Sequence, residues 1–61
     1  MWYEINVSRF GKHLFATHER SITSQGKAME IKELFDEKFP ASEGYHVTVT
    51  KWEKKGEFVE L

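Results

Sequence analysis

The apolar period changes twice along this chain, and that pattern limits the fold more than any other feature. Near both ends, apolar and polar residues alternate with a period of two. Between them, Ala28, Ile31, Leu34, Phe35 and Phe39 recur at helical spacing. Such a chain must lay one amphipathic helix on a sheet assembled from segments far apart in sequence. With 61 residues, a single domain spanning residues 1–61 is the only sensible count.

The first alternating run sends Tyr3, Ile5 and Val7 one way and Trp2, Glu4, Asn6 and Ser8 the other. Phe10-Gly11 then leads into a second strand over residues 12–20. Glycine suits the positive φ of a two-residue turn and Phe10 suits it poorly, so a slightly longer loop is the alternative. Pairing Arg9 with Lys12 sets Val7 against Leu14 and Ile5 against Ala16 on one face. Asn6 then faces Phe15, and Glu4 faces Thr17, on the other.

Ser21-Ile22-Thr23-Ser24 marks the entry to the helix, with Thr23 as the favoured N-cap and Ser24 or Ser21 as alternatives. Gly26 weakens the first turn by up to about 1 kcal/mol relative to alanine. Lys32 and Asp36 are spaced to pair along the helix. Pro40, the only proline, ends it. Tyr45 to Trp52 is the clearest strand, rich in β-branched residues. Glu53 to Glu57 reads as a hairpin loop with Gly56 in the left-handed position, followed by a short strand over Phe58–Leu61. Pairing Glu53 with Glu57 sets Trp52 opposite Phe58 and Val49 opposite Leu61. The expected fold is α+β, in the order ββαββ, with an antiparallel sheet of order 2-1-3-4 and one helix on one face.

That arrangement leaves a sheet face uncovered. Antiparallel pairing brings Trp2 and Trp52 together on it, beside Phe58. We take Trp2, Phe15, Thr50, Trp52 and Phe58 as the candidate interaction surface. Two readings stand side by side. Cross-strand aromatic pairs contribute roughly 0.2–1 kcal/mol each to a sheet, which alone could justify them in a small domain. Tryptophan is also enriched at binding hot spots, and exposed apolar patches mark interaction sites. A chain of this size has a core worth only about 3–5 kcal/mol and gains from a supplement. The absence of cysteine removes disulfides and thiolate metal sites, which leaves self-association, a homodimer included, as the supplement easiest to reconcile with the sequence.

The residue spacings point away from catalysis. His13, His18 and His46 match no metal-binding spacing, and no nucleophile elbow, P-loop or dinucleotide fingerprint occurs. No cofactor and no metal are expected, and the reading is not an enzyme but a protein-interaction module. The alternative is single-stranded nucleic-acid binding by stacking on the open face. Lys51, Lys54, Lys55 and Arg20 lie near the tryptophans, but Glu4, Glu19, Glu53, Glu57 and Glu60 share that neighbourhood and would repel phosphate. No apolar run approaches the roughly 20 residues of a membrane span. The start has neither a basic leader nor an apolar signal core, so the expected location is cytoplasmic.

The run Trp2-Tyr-Glu-Ile-Asn-Val-Ser, the segments Gly-Lys-His-Leu-Phe-Ala-Thr and Arg-Ser-Ile-Thr-Ser, and Lys38-Phe-Pro-Ala-Ser-Glu-Gly-Tyr45 resemble small uncharacterised open reading frames of phages and prophages of enteric bacteria. The resemblance covers nearly the whole chain and brings no site residues. It implies a context: a small cytosolic protein that binds or modulates a host protein.

Overall fold

The computed structural model describes all residues, Met1–Leu61. It contains β1 (Trp2–Arg9), β2 (Lys12–Ala16), α1 (Gln25–Lys38), β3 (Tyr45–Trp52) and β4 (Gly56–Val59), with a single 3-10 turn at Ala41–Glu43 before β3. The four strands form one antiparallel sheet in the order β2-β1-β3-β4. The fold is therefore the expected ββαββ arrangement, with the helix on one face. No helix is long and apolar enough to cross a membrane.

The central pair, β1 and β3, keeps the register that alternation dictates. Ile5 faces Val49, Val7 faces Val47 and Trp2 faces Trp52. Ile5, Val7 and Val49 are fully buried, and Ile5 and Val49 form one core cluster with Ala28 of the helix, Tyr3 and Ile22. Ile22 reaches it because Tyr3 donates its backbone N–H to the Ile22 carbonyl at 2.7 Å, pinning the segment before the helix to the start of β1. Only seven of the 61 residues are buried, so a few side chains carry most of the hydrophobic stabilisation.

The hairpin between β1 and β2 is tight. Phe10 (φ 51) and Gly11 (φ 81) both lie in the left-handed region, the pattern of a two-residue type I′ turn. The longer loop is not used. Phe10 is held there by its N–H, which donates to the Gly44 carbonyl at 3.0 Å. Gly44 (φ 88) packs so close to the Phe10 ring that a Cβ at position 44 would collide with it.

Beyond the turn, β2 departs from simple alternation. The ladder shifts between Val7 and Ser8: His13 pairs with Ser8, but Phe15 pairs with Val7 and Ala16 with Asn6. Leu14 is the extra residue of a β-bulge. The bulge inverts the expected faces, so Phe15 points to the helix side and Ala16 to the open side. Turning a phenylalanine rather than an alanine toward the helix is the physical gain, about 1–2 kcal/mol because Phe15 keeps 39% of its surface exposed. Leu14, expected in the core, is instead 46% exposed. The strand also ends at Ala16 rather than near residue 20. Thr17 still donates its N–H to the Ile5 carbonyl, but its Oγ1 takes the Ile5 N–H that a further backbone carbonyl would have accepted, each at 3.0 Å.

Smaller differences from expectation concern the helix and β4. The N-cap is Ser24, whose hydroxyl accepts from the Lys27 N–H at 3.2 Å, rather than Thr23. Leu34 is 49% exposed, because the helix meets the sheet along a narrower stripe than its apolar spacing suggests. In the last hairpin, Trp52 pairs with Gly56, Thr50 with Phe58 and Val49 with Val59. This register is two residues away from the expected one, so each side chain keeps its face. Gly56 is part of the strand and has no positive φ.

Candidate functional site

Gly56 explains that shift. A Cβ at position 56 would lie 2.9 Å from the Trp52 Cζ2 and Cη2 atoms. The bare glycine therefore lets the Trp52 indole lie flat across β4. On its other side Trp52 stacks on Trp2, with ring centroids 5.7 Å apart and planes inclined by 16°. Three strands are thus joined through one indole: β1 through Trp2, β3 through Trp52 itself, and β4 through its glycine seat. Such offset stacking is worth about 0.5–1.5 kcal/mol beyond area burial. The Trp52 Nε1–H is buried and has no hydrogen-bond partner. An unsatisfied donor costs about 1–3 kcal/mol, which equals or exceeds the stacking gain, so the pair's net stabilisation rests on the area it buries.

The five residues singled out in the sequence separate in the structure. Trp2 and Trp52 meet. Phe58 shares their face but stands opposite Thr50, pairs with no other ring, and is 81% exposed. Thr50 is buried, at 8% exposure, and offers a partner little surface. Phe15 leaves the open face altogether. The bulge places it against Phe35 and Phe39, with ring centroids 5.9 and 5.5 Å away in edge-to-face geometry. The exposed aromatic surface is therefore smaller than expected and centres on Phe58, above a depression lined by Thr50, Trp52, Gly56 and Phe58.

The rest of the open face is polar. Asn6 donates to the Glu4 carboxylate at 3.2 Å, and Ser8 sits between His13 on β2 and His46 on β3. No group of three or more metal-ligating side chains is assembled. At the tryptophan end, an open cleft of about 540 Å³ is lined by Lys51, Lys54 and Lys55 together with Glu53 and Glu57, so cations and carboxylates interleave. Sequence reasoning missed the role of Gly56. The available signal was a glycine four positions after a strand-ending tryptophan, within reach of a tight hairpin. No family model, no curated protein and no solved structure matches the chain.

Proposed function

We propose that this chain is a non-enzymatic protein-interaction module that meets a protein partner on its open sheet face, at the corner formed by Phe58 and the Trp52 edge. In the setting implied by the phage resemblance, that partner is a host protein. One observation carries the reading: Phe58 lies within a strand yet is 81% exposed, beside a stacked tryptophan pair that holds the surface in place. An exposed phenylalanine forgoes about 1.5–3 kcal/mol of burial that a partner can supply.

The test is affinity capture from a bacterial lysate with wild type, Phe58→Ser and the control Met29→Ser, which alters an exposed helix residue on the opposite side of the molecule. A specific protein should be captured by wild type and by the control, and be depleted at least tenfold with Phe58→Ser. Equal capture by all three, or no specific capture by any, sinks the reading. Tryptophan quenching by single-stranded oligonucleotides that weakens with salt would replace it with nucleic-acid binding.

A further inference from the structure

We draw no further inference here: the strongest candidate, the cross-strand row of His13, Ser8 and His46 on the open sheet face, sets its two imidazoles on either side of β1, about 10 Å apart from backbone to backbone, with no third ligating side chain beside them, so nothing in the structure points to a metal or ligand that would bind there.

Discussion

The two aromatic groups of this domain sit on opposite faces of one sheet and do different jobs. On the open face, Trp2 and Trp52 stack nearly parallel, 16° apart, and connect only strands to strands. On the helix face, Phe15, Phe35, Phe39 and Tyr45 meet edge to face, with centroids 5.3–5.9 Å apart and planes inclined by 62–90°. They come from β2, the helix, the helix C-cap and β3, so this group ties the layers together. Both groups use the same residue chemistry. The difference is topological: one holds a corner of the sheet in shape, while the other docks the helix.

Phe39 is where that contrast breaks most sharply. Its ring touches Phe15, Phe35 and Tyr45, so it is the node of the helix-side group. Phe39→Ala should cost about 3 kcal/mol, the lower end for a buried phenylalanine because Phe39 is only half-buried. In a domain worth about 3–5 kcal/mol that leaves a substantial unfolded population at room temperature. Urea denaturation followed by circular dichroism measures it. A loss below about 1 kcal/mol would show that the helix is held by Ala28 and Ile31 alone and that the ring group is incidental.

A smaller loss is expected on the open face. Trp2→Ala removes the stack and the buried half of the indole but leaves Trp52 on its Gly56 seat, so stability should fall by about 2 kcal/mol. The far-ultraviolet dichroism couplet of the paired indoles should vanish while the rest of the spectrum persists. A loss as large as that of Phe39→Ala would erase the distinction between the two groups and make the open face a second core.

Much of this was legible from alternation, and the failures have definite causes. Period-two runs placed β1 against β3 and brought Trp2 to Trp52, because parity alone decides which face a strand residue takes. Parity fails at a bulge. Leu14 adds a residue that leaves no mark in the apolar pattern, so Phe15 changed faces and left the candidate site. The β4 error was of another kind. A register wrong by two kept Phe58 on its predicted face but separated it from Trp52, because the deciding contact was the space over a glycine. Ile22 escaped notice because it belongs to no periodic run, and enters the core through one backbone hydrogen bond to Tyr3.

The smallest effect, and the finest division, concerns where the helix-side group ends. Arg9 lies over the Tyr45 ring at 4.7 Å and over the Phe10 ring at 5.2 Å, while its Nε–H donates to the Glu43 carbonyl at 3.0 Å. Phe10 could thus be the last member of the group. Against that, Phe10 is 80% exposed and holds φ 51, a conformation that phenylalanine adopts at a cost and asparagine tolerates. Phe10→Asn should relieve roughly 1 kcal/mol of backbone strain and lose about 0.5 kcal/mol of exposed cation–π contact. The net expectation is a slight stabilisation of about 0.5 kcal/mol, visible as a higher urea midpoint at unchanged slope. A lower midpoint would mean that the Phe10 ring, held between Arg9 and Gly44, contributes more than its strain removes. The docking group would then extend to the tip of the hairpin.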